Sequence, residues 1–227
     1  MHKLDLDNDF HKEQITPNTA LSGNSLESEL INKFNYAILA IREKFQLLEL
    51  DISEELKANI LRSQVSLLLS AVDFYIHEII KIELLNIIQG EREKTPSLKN
   101  CMVSVQALLD YLSSSDTNNQ ILEDEIVYRN SFKSFLEPQK MAEALSLITT
   151  KKIFKNLFLK INLSGAKELE EKIKEIFKRR NAIVHQMDYD YTTRNQQSIT
   201  KEEVEEYIDF YEKFIKELHI LLLQENI

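Results

Sequence analysis

Apolar residues recur along this chain at intervals of three and four, the spacing of one face of an α-helix, and no stretch reads convincingly as a strand. Leu26, Leu30, Ile31, Phe34, Ile38, Ile41, Phe45 and Leu48 predict a first amphipathic helix, capped by Asn24 with Glu27 as its capping-box partner. Ser53 is placed to cap a second, long helix through Leu56, Ile60, Leu67, Leu68, Ala71, Phe74, Ile79 and Ile87, closed by Gly90. Between Val65 and Ile80 that helix is apolar almost all round, which marks it as the central helix of the fold. Thr95-Pro96 interrupts the pattern. Helices are then expected over about 97–113, 117–131 and 138–149, the last opening on Pro138 at a first-turn position, with a loop at Ser113 to Asp116. A further helix is expected over about 151–160. After Ser164-Gly165 comes a long one whose stripe is Ile173, Ile176, Phe177, Ile183, Val184 and Met187. Asp188 to Ser198 reads as a polar, tyrosine-bearing loop. Thr200 and Glu203 form a capping box for a final helix through Val204, Tyr207, Ile208, Tyr211, Ile215, Leu218 and Leu222. The expectation is an all-α, up-and-down helical bundle: a single domain over 24–227, preceded by a flexible N-terminal arm, 1–23, that is polar and without period.

Composition narrows the chemistry. With three glycines, at Gly23, Gly90 and Gly165, there is no Gly-rich phosphate loop, which excludes nucleotide-dependent enzymes of the Rossmann and P-loop kinds. The single cysteine, Cys101, excludes an internal disulfide and a cysteine-based zinc cluster, and the five histidines show no metal-binding spacing. No metal and no cofactor are expected. No apolar run approaches the roughly 20 residues of a membrane span, and the N-terminus lacks an apolar signal core. A cytoplasmic protein that meets no membrane is therefore expected.

A net charge of −9 argues against a general nucleic-acid binder, but the charge is uneven. From Lys151 to Arg180 there are ten basic residues against four acidic ones, a local +6, so the rest of the chain carries −15. Lys167 to Glu175 reads as a solvated helix surface. Lys151, Lys152 and Lys155 have no nearby acids and, with Lys178 and Arg179, are candidates for contact with a polyanion.

The basic stretch leads into Arg180-Asn-Ala-Ile-Val-His185. Arg180 stands three after Phe177 and four before Val184, where the stripe calls for another apolar residue. A cation on a packing surface is costly unless it is paired or offered an anion. Asn181 and His185, four apart, share a face beside it. The plainer alternatives are an arginine whose stem is buried and whose head stays wet, and a histidine that interacts with the helix dipole. Arg179, about 100° around the helix from Arg180, is expected on an outer face as a phosphate contact. On the central helix Asp73 and His77 lie four apart, either as an ordinary surface pair or as an acid facing the Arg180 helix.

The Arg180–His185 segment resembles the hallmark of the HEPN superfamily: an arginine, four to six residues, then a histidine, with a small polar residue, here Asn181, after the arginine. Leu67 to Glu78 in a long central helix, Ser131 to Lys140 with its Glu-Pro step, and the capped C-terminal helix follow in an order similar to the branch named for the RNase LS toxin, over about residues 53–224. The resemblance implies a HEPN-type bundle and a metal-independent endoribonuclease. It further implies a homodimer, of a kind common in toxin–antitoxin and anti-phage defence systems, with an antitoxin or defence-complex protein as a further partner. By position, Arg180 and His185 would be catalytic and Asn181 auxiliary. In HEPN toxins neutralised by a nucleotidyltransferase, a tyrosine stands two residues after the histidine. Here Met187 occupies that position and the nearest tyrosine is Tyr189, so control by tyrosine modification does not carry over.

The residue types suit metal-free RNA cleavage, in which the ribose 2′-hydroxyl is the nucleophile. Imidazole titrates near neutral pH, so His185 can serve as general base or general acid. Arg180 offers a fork of donors to the phosphorane oxygens, and Asn181 can bond the scissile phosphate or fix the His185 tautomer. One histidine does not easily serve as both acid and base; a two-fold dimer would supply a pair. The competing expectation is a catalytically silent interaction or adaptor subunit, favoured by the −9 charge and by the acids Glu202, Glu203, Glu205, Glu206 and Asp209 of the final helix.

Overall fold

A computed structural model of the chain describes residues 23–114 and 120–223. Eight helices lie among them: α1 Gly23–Glu43, α2 Glu54–Gln89, α3 Val105–Ser113, α4 Gln120–Asn130, α5 Pro138–Leu145, α6 Ile153–Leu157, α7 Ala166–Gln186 and α8 Lys201–Leu223. The fold is all-α, and the nearest approach to a strand among the described residues is one isolated antiparallel bridge between Tyr189 and Gln196. Residues 1–22 of the expected arm lie outside the described residues, as do Ser115, Asp116 and the last four residues, and Gly23 opens α1.

Helix α2 is the axis. Its 36 residues run about 54 Å at 1.5 Å per residue, and α1, α4, α5, α7 and α8 all pack on it. Its ends are where Ser53 and Gly90 place them. The Ser53 hydroxyl accepts from the Leu56 amide at 3.3 Å, and Gly90 turns the chain out at φ +82°, a conformation that favours a residue without Cβ. Val65, Leu68, Leu69, Val72, Ile76, Ile79 and Ile80 are fully buried, and one hydrophobic cluster joins them to Phe34, Leu145, Leu169, Ile173, Phe214 and Leu218. The near-continuous apolar run does not mean burial on every side, however. Ser63, Leu67, Ser70 and Phe74, one stripe at helical spacing, face solvent.

The intermediate helices are shorter than the apolar pattern suggested. The segment expected over 97–113 divides into a 3-10 turn, Pro96–Asn100, and α3, which Ser104 caps by accepting from the Ala107 amide at 3.1 Å. Helix α6 is a short piece, and the chain leaves this region through a left-handed Asn162 at φ +64°. Helix α3 leans on α4 and buries Ala107, while Val105, Leu109 and Leu112 stay exposed.

Glu27 does something other than capping. Its side chain is enclosed beside Glu83 and Arg92, and Glu83 and Arg92 form a buried ion pair. Burial, with the Glu83 carboxylate close by, pushes the Glu27 carboxyl up to about 8. Nearby, the Tyr75 hydroxyl lies 2.9 Å from His219 Nδ1, and burial lowers the His219 pKa.

Candidate functional site

The motif sits where α7 runs off the core. Leu169, Ile173 and Ile176 are buried, Phe177 and Ile183 only partly, and Val184 and Met187 are 45 % and 73 % exposed. The stripe expected to be buried along its whole length is therefore buried only to Ile176. Beyond it the same face opens to solvent, and Arg180 lies on that face. Arg180 is half-buried: Nη1 donates to the Asn181 side-chain oxygen at 3.1 Å, while Nε is enclosed without a hydrogen-bond partner. It makes no ion pair among the described residues. His185 is exposed. At 3.6 residues per turn it projects about 140° around the axis from Arg180 and about 40° from Asn181. One protomer thus offers Arg180 and His185 on different sides of the helix, with Asn181 between them.

Arg179 occupies a different setting from the outer phosphate contact expected of it. Its guanidinium is bound to Asp188 at 2.9 Å, to Glu203 at 3.6 Å and to the Ser198 carbonyl at 2.7 Å, with the side chain 10 % exposed. The reason is the loop 188–198, which folds back over this side of α7. Asp188 is wholly buried, and its carboxylate also accepts from Arg62 Nε of α2 at 2.9 Å. Arg62 in turn donates to the Gln197 carbonyl at 2.8 Å and to Asn59. One carboxylate thus ties two helices and a loop together three residues beyond His185.

The helix end is held against its own preference. Met187 and Asp188 are both left-handed, at φ +51° and +63°, and the Asp188 amide reaches back to the Ala182 carbonyl at 2.9 Å. Two left-handed non-glycine residues cost about 1–2 kcal/mol each, a strain that the two charged hydrogen bonds on Asp188, about 1.5–3 kcal/mol each, are of a size to offset.

The remaining candidates are scattered. Lys178 is exposed near the motif, in an open cleft of about 660 Å³ that Arg179, Gln197 and Tyr207 also line. Lys151, Lys152 and Lys155 line a separate cavity of about 460 Å³ with Thr149, Thr150 and Glu170. Glu170 precedes Arg180 by ten residues of α7, about 15 Å along the axis, so these lysines are not brought to the motif. Lys151 also donates to the Leu221 carbonyl at 2.9 Å. Asp73 accepts from the Phe135 amide at 2.8 Å, and the His77 ring packs on Phe135 with centroids 4.4 Å apart. The pair fastens the turn after α4 to the central helix, nearer the surface reading than the reading of an acid facing Arg180. Tyr189 is half-exposed on the loop, and Tyr191 is more exposed still.

Arg62 and Asp188 were not singled out from the sequence. Arg62 was legible by the argument applied to Arg180, since it is a charge among Leu61, Val65 and Leu69 of a buried helix. Asp188 had no such signal, because it stands past the helix end where periodicity no longer speaks.

A family model for RiboL-PSP-HEPN matches residues 9–224. The chain belongs to this HEPN family. HEPN domains are all-α and are frequently ribonucleases. No curated protein matches the chain, and no solved structure does. No helix among the described residues of this HEPN protein is long and apolar enough to cross a membrane. Among the same residues no group of three or more His, Cys, Asp and Glu side chains could hold a metal ion.

Proposed function

We propose that the protein is a metal-independent endoribonuclease that works as a homodimer, as a toxin or anti-phage defence effector in the cytoplasm. The observation that carries this reading is the end of α7: Arg180 with an enclosed, unbonded Nε, Asn181 beside it, an exposed His185, and an uncovered apolar face at Val184 and Met187. A two-fold contact over that face buries the two apolar side chains and brings the α7 ends of two copies, each with its own Arg180, Asn181 and His185, to one seam. In the cleft so formed, one imidazole takes the proton of the ribose 2′-hydroxyl. The 2′-oxygen bonds to phosphorus while the P–O5′ bond breaks, and a second imidazole protonates the leaving oxygen. The two guanidinium groups meet the charge that develops on the phosphorane. Lys178 offers a further phosphate contact.

Purified protein incubated with RNA in the presence of chelator should give fragments ending in 2′,3′-cyclic phosphate, and His185→Ala should give none. Intact RNA with the wild type as well would end the reading. A second reading, an interaction subunit without catalysis, draws on the exposed Val105, Leu109 and Leu112 of α3, an apolar face that fits a protein partner such as an antitoxin. Expression of the wild type against His185→Ala separates the two, because an adaptor is indifferent to that substitution.

A further inference from the structure

We propose that Asp188 is a positioning residue for the motif, with Arg62 and Arg179 as its clamp, so that the buried carboxylate sets where His185 stands. The inference rests on the ribonuclease reading above and adds a control on its geometry. His185 lies in the last turn of α7, where the backbone has begun to lose its intrahelical partners and ordinarily frays. Here the turn is closed by two left-handed residues in succession, neither of them glycine. Three sets of contacts keep it closed, all through Asp188. The amide bonds the Ala182 carbonyl and the carbonyl accepts from the Gln197 amide, each at 2.9 Å, while the carboxylate is gripped from α2 by Arg62 and from α7 by Arg179. Arg62 belongs to the most deeply packed helix of the molecule, so the clamp refers the position of an exposed histidine to the rigid core. Arg179 and Arg180 then divide the work between them, the first holding the helix end and the second left for the substrate.

The test is Asp188→Asn, which keeps the shape and the tolerance for left-handed backbone and removes the charge. In the folded variant we expect kcat per folded molecule to fall at least tenfold with KM within twofold. Amide exchange at Ile183 to Met187 should quicken at least tenfold while Val72 and Ile76 in α2 stay protected. Asp188→Glu, which restores the charge one methylene out of place, should not recover kcat. A role in charge balance alone predicts that it does. If Asp188→Asn does not fold, Arg62→Lys, which keeps a cation but loses the fork to Gln197, is measured in its place with the same expectations. Unchanged exchange at 183–187, or wild-type kcat per folded molecule, overturns the proposal. Because exchange needs no RNA, the two ideas fail separately: a wild type that cleaves nothing refutes the ribonuclease reading, and the exchange result still decides the role of Asp188.

Discussion

Replacing Arg179 by alanine takes away one of the two guanidinium groups on Asp188 and the donor to the Ser198 carbonyl. A buried carboxylate left with half its compensation is costly. The expected loss is about 2–3 kcal/mol, and at about 2–4 °C per kcal/mol for a chain of this length the thermal midpoint should drop by roughly 4–12 °C. Arg180→Ala should leave the midpoint unchanged or higher, since it removes a cation whose enclosed Nε has no bond. Thermal denaturation of the two variants checks this pair, and equal losses would mean that Arg180 too is structural. The sequence drew attention to the stretch from Arg179 to His185 but assigned its two arginines by helical angle alone. The angle was sound as far as the helix goes. What it missed is the loop 188–198, which covers the side of α7 that a wheel leaves in water and brings an aspartate to Arg179.

At the scale of the elements, the signals that survived are those with a local cause. Ser53 and Gly90 end α2 by hydrogen-bond geometry and a left-handed turn that need no tertiary context, and the amide of Glu203 donates to Thr200 Oγ1 at 3.2 Å as the capping pattern required. The failures have tertiary causes. Glu27 sits at the capping-box position but is drawn inward by Glu83 and Arg92, which lie 56 and 65 residues further along the chain. This has a measurable effect on stability. A carboxyl whose pKa is about 8 in the folded chain, against 4.5 ordinarily, binds its proton more tightly folded than unfolded. Its contribution is therefore full below the ordinary carboxylate range and lost as pH rises through about 8. Stability should fall between roughly pH 5 and 8, by no more than about 1.4 kcal/mol per pH unit. His219, lowered by burial, acts in the opposite sense, its contribution fading as pH drops below the ordinary histidine range. Urea titrations across pH test both. Glu27→Gln should flatten the alkaline limb and leave the acid limb, and a Gln variant that keeps the alkaline slope would place its origin elsewhere.

For the whole molecule, the all-α class and the family were legible because periodicity and the Arg180–His185 spacing are both carried by short stretches of chain. The open face at the end of α7 was not, since the same apolar residues read as core until the structure shows that the core stops at Ile176. If Val184 and Met187 seat a second copy, Met187→Asp should shift the protein from dimer to monomer in sedimentation velocity and abolish cleavage in the same step. A monomeric wild type that is fully active would refute the paired site. The order of the elements has a consequence for synthesis. The clamp joins Arg62, made early, to Asp188, made late, and the core that steadies α7 also needs α8, which is later still. A nascent chain therefore carries its arginine and histidine for some time before anything fixes them. Chains stopped by a stalled ribosome before Lys201 should be harmless to the RNA around them. On the ribonuclease reading, the activity would come on only when translation of the domain has run its course.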